Sequence, residues 1–373
     1  MESPRTSRIE IDLLQLRKNL EILRKDMPLG LQWCSVLKDN AYGHGAVEIG
    51  RETVSEGASY VAVSTMNEAL ELKTANINVP ILIFGERSVM ELATCIENQF
   101  IFFVNDISQA KMVSDMGKKQ AKQIQVHTKI DTGLSRYGIR WTEAVPMIES
   151  ISNMPNLHIS GIMTHFAMSD ELDKSFAYQQ LARFEECVGT FRGQKKFQKT
   201  KFHVCNTGGY LDLPKAHHDF VRIGILPLGV YPSKFCRRIS GIKPIMSVHT
   251  QVATVKKIEP GDIVGYGLRY RAESVRTIAI LPMGYSSGFP RLRNRGFVLI
   301  HGKKAPIIGG NSMNAMMVDV SDIPQTKIWD EVTIVGSQLG EEISIHDLAG
   351  WDETVSYEIM ARWSSSLPRI YKI

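Results

Sequence analysis

Apolar runs and helical patterns alternate along the first two-thirds of the chain. The runs are WCSVL (33–37), YVAVS (60–64), ILIFG (81–85), IFFV (101–104), IQVHTK (124–129), ISGIMT (159–164), FHVCN (202–206) and FVRIGI (220–225). Between them lie stretches such as AVEIGRETVSEG, MNEALELKTA and SFAYQQLARFEECVGTF, whose apolar residues recur at helical spacing. Short strands apolar on both faces and separated by helices imply parallel βαβ units. Eight of them within about 230 residues predict a (β/α)8 TIM-type barrel rather than an open sheet. The missing G-x-G-x-x-G after the first strand argues against a dinucleotide fold. Beyond about residue 240 the texture changes. MSVHTQVATVKKI, RTIAILPMG, FVLIHGKKAPIIG, MMVDVSD and EVTIVG are strand-like and joined by turns, and helical periodicity largely disappears. The expected class is therefore α/β: a barrel over 1–238, then a mainly β domain over 239–373. The first ~10 residues are expected to pack with the β domain.

Composition narrows the function only by exclusion. Of 373 residues, 43% are hydrophobic and 22% charged, which excludes a disordered chain, a collagen and a small disulfide scaffold. Lys+Arg 44 against Asp+Glu 39 leaves +5, too small and scattered for a nucleic-acid surface. The densest basic stretch, RGQKKFQKTK at 192–201, reads as a solvated helix end or loop. No apolar run is long enough to span a membrane, and MESPRTSRIEIDL lacks the apolar segment of a signal peptide. The five cysteines form no C-x-x-C and read as reduced thiols, so a cytoplasmic protein is expected.

In a barrel, chemistry gathers at the C-terminal ends of the strands. Lys38 follows the first strand, with Tyr42-Gly43-His44-Gly45 close behind. Lys129, Asp131 and Arg136 follow the fifth; they form either a structural charge network or an anion clamp. Thr164 and His165 follow the sixth, and Asn206-Thr207-Gly208-Gly209 the seventh. Arg222-Ile223-Gly224-Ile225 closes the series, and Thr207, Gly224 and Ile225 suit a phosphate cradle. A reactive lysine and a phosphate cradle together describe a pyridoxal phosphate site. His217-His218-Asp219 looks ligand-like, but neighbours on an extended segment point to opposite sides, so no metal is expected.

These pieces resemble the alanine racemases, over nearly the whole chain. VLKDNAYGHG (36–45), HTKIDTGLSRYG (127–138), GIMTHFAMSDELD (161–173), HVCNTGG (203–209), VRIGI (221–225), VGYGLRY (264–270), LPMGYSSGF (281–289) and VSYEIMARWSSSLPRIY (355–371) follow in the family's order. The resemblance implies pyridoxal phosphate held by Lys38, which also serves as one catalytic base, and Tyr266 as the opposite base, supplied across a homodimer. It implies Tyr42, Thr207, Gly224, Ile225 and Tyr357 around the phosphate, and Arg222 facing the pyridine nitrogen. His165, His203 and Asn206 would line the cofactor, and Arg136, Tyr285 and Met313 would reach an amino-acid substrate. Lys129 is carbamylated in many relatives. An arginine at the pyridine nitrogen disfavours its protonation and so weakens the electron sink, which limits side reactions.

One departure bears on the substrate. Where relatives commonly show Arg-x-x-Met-Asp, this chain has Gly310-Asn311-Ser312-Met313-Asn314. A racemase of serine, lysine or many amino acids is therefore an alternative to one of alanine. An amino-acid decarboxylase and a non-enzymatic pyridoxal phosphate carrier fit less well. The first would need a Gly-Gly-Gly loop and a Cys-Asp pair, and the second has no use for a β domain.

Overall fold

The computed structural model describes residues 7–373. The first six residues, part of the stretches read above for a leader and for packing with the β domain, lie outside the described residues. The chain forms two compact units. One comprises Arg17–Ala41 and Ala46–Ile242; the other gathers the N-terminal segment through Leu16, Tyr42–Gly45 and Lys243–Ile373.

The chain's first strand, β1 (Arg8–Asp12), belongs to the second unit, where it pairs with strands of the C-terminal region. The first unit is the barrel. Its staves are β2 (Gln32–Val36), β3 (Tyr60–Val63), β4 (Ile81–Ile83), β5 (Ile101–Phe103), β6 (Ile124–Asp131), β8 (Leu157–Met163), β9 (Lys201–His203) and β10 (Phe220–Ile223). A two-residue strand, β7 (Ile139–Arg140), sits beside β6. The order β10-β2-β3-β4-β5-β6-β8-β9 is parallel throughout. The ends meet: the N–H groups of Asp219 and Arg222 donate to the carbonyls of Phe202 and Cys205, at 3.1 and 2.9 Å. Val61, Ala62, Leu82, Ile83, Phe102, Val126, Ile162, Val221 and Ile223 are fully buried, which is why these strands read as unbroken apolar runs. Several of the helices between them begin on side-chain caps. Thr65 with Glu68, and Ser88 with Glu91, form reciprocal capping boxes, and Asp106 caps the helix Ile107–Lys119.

The second unit is mainly β. Its strands are β11 (Met246–Gln251), β12 (Thr254–Ile258), β13 (Arg276–Leu281), β14 (Phe297–Ile300), β15 (Lys303–Pro306), β16 (Met316–Asp319), β17 (Glu331–Gln338), β18 (Glu341–Ile343) and β19 (Arg369–Lys372). One sheet runs β15-β14-β17-β11-β1-β19, with β18 hairpinned onto β17; the other runs β12-β13-β16. Helical structure persists further than periodicity suggested. Ile345–Trp351 starts at a Ser344–Asp347 capping box, and Ser356–Arg362 follows it. Segments of one turn or two are too short to build a periodic signal. Among the described residues no helix is long and apolar enough to cross a membrane.

Candidate active site

Lys38 stands just past the C-terminal end of β2, and its Nζ lies 4.0 Å from the Asp39 carboxylate. The backbone behind it is unusual. Asp39, Asn40, Ala41 and Tyr42 take φ of 53, 55, 50 and 52°, one turn of left-handed helix without a glycine. Each such residue costs about 1–2 kcal/mol against the right-handed form. Neighbours offset the strain. The Ala41 N–H donates to Leu37 O at 2.7 Å, and the Ala46 N–H donates to Asn40 Oδ1 at 2.8 Å. The Glu68 carboxylate accepts from the N–H of Asp39 with one oxygen and, with the other, from the N–H groups of Ser64 and Thr65 at 3.0 Å each. Sequence reasoning missed Glu68: it caps its own helix and also clamps the turn after Lys38, which needs the β2–β3 pairing.

Tyr42–Gly45 packs within the second unit. A Cβ on Gly43 would lie 2.3 Å from Met360 O, and one on Gly45 1.9 Å from the Tyr371 hydroxyl, so both positions exclude any side chain. Arg369 Nε donates to Gly43 O at 2.9 Å. The Tyr42 and Tyr357 rings meet edge-on, centroids 6.0 Å apart.

Arg222 is fully buried on β10, and none of its hydrogen-bond acceptors is a carboxylate. Its guanidinium donates to His203 Nδ1 (2.9 Å), His165 Nδ1 (3.1 Å), Thr164 O (3.0 Å) and Val204 O (2.7 Å). Burial pulls its pKa down to about 10, so it stays charged at neutral pH. An arginine has no lone pair to offer, so each imidazole must present a bare Nδ1 and carry its proton on Nε2. His203 Nε2 then donates to His127 Nδ1 at 3.2 Å. Burial first, and the Arg222 charge second, hold His165, His203 and His127 neutral, the last with its pKa lowered to about 3. Gln180 braces the same end: its amide N–H groups reach Thr132 Oγ1 (3.2 Å) and His165 O (3.1 Å). Sequence reasoning missed His127 and Gln180. His127 lies inside a strand, where only the register with β8 brings it toward His203.

Around this core the strand ends collect positive charge. His165 feels Arg222, Arg136, Lys129 and Lys38 together. Lys129 is buried, and burial with Arg136 and Arg222 nearby lowers its pKa to about 8. Arg136 itself is exposed. Thr207 opens the helix Thr207–Asp212, and its hydroxyl accepts from the Gly224 N–H at 3.2 Å. Asn206 is occupied as that helix's cap, taking the Gly209 N–H (2.9 Å) and the Ser169 hydroxyl (2.7 Å). Ile225 is buried beside Gly224.

The remaining candidates belong to the second unit. Tyr266 opens a turn Tyr266–Leu268 and is 69% exposed. Tyr285 and Met313 are 43% and 53% exposed, and their turns are stitched by Tyr285 N–H to Ser312 O (3.2 Å) and Ser286 N–H to Met313 O (2.9 Å). The His217–Asp219 segment is not extended, contrary to expectation. His218 has φ 50°, His217 Nε2 bonds Tyr210 O at 2.9 Å, and Asp219 accepts the Phe202 N–H at 2.7 Å. A helical turn followed by a left-handed residue redirects the chain into β10.

A lysine at a strand end, cationic groups around the barrel mouth and a buried arginine whose acceptors are all uncharged fit an anionic, lysine-linked cofactor. Fold and site thus define a barrel enzyme of the pyridoxal phosphate type. The chain matches the alanine racemase N-terminal domain over residues 11–232 and the alanine racemase C-terminal domain over 245–371. It is 33% identical to the alanine racemase of Desulfovibrio desulfuricans over 97% of each chain. It is 36% identical to that of Clostridium perfringens, over 97% of this chain and 94% of that one. Among solved structures, the alanine racemase of Clostridium difficile 630 superposes with a TM-score of 0.92 at 29% identity, covering 100% of this chain and 97% of that one. The Bartonella henselae alanine racemase, solved with covalently bound pyridoxal phosphate, gives 0.88 at 26% identity over 99% and 100%. The chain belongs to the alanine racemase family and is a pyridoxal-phosphate-dependent amino-acid racemase.

Proposed function

We infer that the protein interconverts L-alanine and D-alanine with two bases, Lys38 on one face of the substrate and Tyr266 of the partner subunit on the other. Inversion takes the α-proton from one face and returns a proton to the opposite face, so each face needs its own acid/base group. Pyridoxal phosphate, when bound, supplies the electron sink that makes that proton removable. Lys38 would hold the cofactor and would give and take the proton on its own face of the substrate. Thr207, Gly224 and Ile225, with Tyr42 and Tyr357, would hold the phosphate, and His165, His203 and Asn206 would line the cofactor.

Arg222, which stays charged, would face the ring nitrogen and oppose its protonation. Arg136 pairs with the substrate carboxylate. Lys129, with its pKa brought down to about 8, offers a neutral amine to carbon dioxide. The amine attacks the carbon, one proton leaves, and the resulting carbamate holds Arg136. Tyr285 and Met313 of the partner subunit reach the substrate. A site shared in this way requires a homodimer. The D-alanine formed would serve peptidoglycan, in the cytoplasm where reduced cysteines persist.

The observation that carries this reading is the buried Arg222 with four uncharged acceptors, inside a chain of this family. The test is α-proton exchange of L-alanine in heavy water, followed together with D-alanine formation. Exchange with D-alanine appearing supports both bases; exchange with the L form retained removes Tyr266 from the mechanism. No exchange moves the substrate to another amino acid. Gly310 and Asn314 favour a second reading, a pocket mouth open to larger side chains. Comparable rates on lysine and alanine would establish it, and a large preference for alanine would dismiss it.

A further inference from the structure

Tyr266 stands on a short loop that has no strand of its own. The loop closes where the Val264 N–H donates to Tyr270 O at 3.1 Å, next to an antiparallel bridge between Ile263 and Arg271. The side chain is 69% exposed, so its direction comes from the backbone beneath it.

Two fixtures hold that backbone. The first is a contact of bare main chain. Gly265 has φ 72°, and a Cβ on it would lie 2.6 Å from Gly310 O and 2.8 Å from Gly310 N. A Cβ on Gly309 would lie 2.3 Å from Val264 O, and one on Gly310 3.3 Å from Tyr266 O. The last distance is a tight contact rather than a collision, so a side chain at 310 would push the Tyr266 carbonyl by a few tenths of an ångström. The second fixture is the Asn294 carboxamide. Its Nδ2 donates to Arg269 O at 3.0 Å, and its Oδ1 accepts the Gly309 N–H at 2.6 Å. One side chain thus joins the far end of the tyrosine loop to the Gly309–Gly310 segment on which the near end rests. Asn294 is itself left-handed, φ 54°, a conformation asparagine takes more readily than most residues.

We propose that Asn294 and the Gly265–Gly310 contact are positioning elements that aim the Tyr266 phenol for proton transfer, a role that rests on Tyr266 being the second base. The phenol oxygen lies at the end of a long rigid side chain, so a small rotation of the turn displaces it by far more than the backbone moves. Proton transfer needs the heavy atoms within hydrogen-bond reach, and a misplacement of about 1 Å costs roughly a hundredfold in rate. The Lys38 face is untouched by such a rotation.

The test uses cofactor-loaded Asn294→Gly, which keeps the left-handed backbone and removes both hydrogen bonds. The kcat should fall roughly ten- to hundredfold with KM nearly unchanged. In heavy water, the enantiomer whose α-proton faces Lys38 should exchange that proton without inverting, while the other enantiomer slows in both measures. Asn294→Asp, which keeps the acceptor for Gly309, should recover part of the rate. In cofactor-free protein, amide hydrogen exchange over 264–270 should quicken in Asn294→Gly and stay unchanged elsewhere. An unaltered kcat, or exchange and inversion falling in parallel for both enantiomers, overturns the positioning role. Tyr266→Phe separates the two layers. If it racemises normally, the two-base reading has failed; if it is inactive while Asn294→Gly is normal, only the positioning role has failed.

Discussion

Lowering the pH should unfold this protein through its buried imidazoles. His127, His165 and His203 are fully buried and held neutral by burial and by Arg222. In the unfolded chain each titrates near 6.5. A folded-state value below the unfolded one means that the unfolded chain binds more protons once the pH drops below about 6.5. The stabilisation is therefore fully present above that pH and is lost as the pH falls toward the folded value, about 3 for His127. Between pH 7.5 and 5.0 His127 removes about 2 kcal/mol from the unfolding free energy, at ~1.4 kcal/mol per pH unit below 6.5. His165 and His203 shift in the same direction and add to that loss. Urea unfolding at a series of pH values measures this directly. Calorimetry in two buffers of different ionisation enthalpy gives the proton uptake, expected to be about one proton at pH 5 from His127, with His165 and His203 adding in the same direction. His127→Gln leaves His203 an acceptor and should remove about 2 kcal/mol of the stability loss between pH 7.5 and 5.0. A His127→Gln variant as acid-sensitive as the parent would refute the argument.

Other outcomes follow from the same geometry. Mixing inactive Lys38→Ala and Tyr266→Phe chains should restore about a quarter of parental activity, since half the dimers are mixed and each has one intact site; mixed dimers without activity would sink the shared site. Arg222→Gln places a neutral amide where a cation opposes ring protonation, and pyruvate formed per racemisation should rise; an unchanged ratio would separate Arg222 from reaction selectivity. The same variant offers two amide donors to four acceptors and should lose about 2–4 kcal/mol in denaturant unfolding. A Cβ at Gly161 would lie 2.4 Å from His127 Nε2, so Gly161→Ala should destabilise by about 1–3 kcal/mol, and a neutral result would show that the imidazole can move.

Lys38, Lys129, His165, Thr207 and Arg222 were legible because parallel barrel strands are apolar on both faces. A polar residue at the end of such a run stands out, and in this architecture strand ends face a common mouth. The mainly β texture of the C-terminal third was equally visible as alternation and turns. His127, Glu68, Gln180 and Asn294 were not, and each for a physical reason. His127 lies inside an apolar run and becomes part of the site only when register and barrel closure bring it to a histidine 76 residues away. Glu68 looks like any capping glutamate until strand pairing sets its carboxylate against a left-handed turn from another loop. Gln180 reaches segments 48 and 15 residues distant and Asn294 reaches segments 25 and 15 residues distant, and no local pattern encodes these contacts. The sheet of the second unit likewise seats β1 between β11 and β19, strands from the far end of the chain. Local periodicity and composition record which face of an element is buried. Which groups meet there depends on long-range closure, and this is why the sequence determined the architecture and the candidate strand ends, whereas the tertiary structure decided which side chains hold them in place.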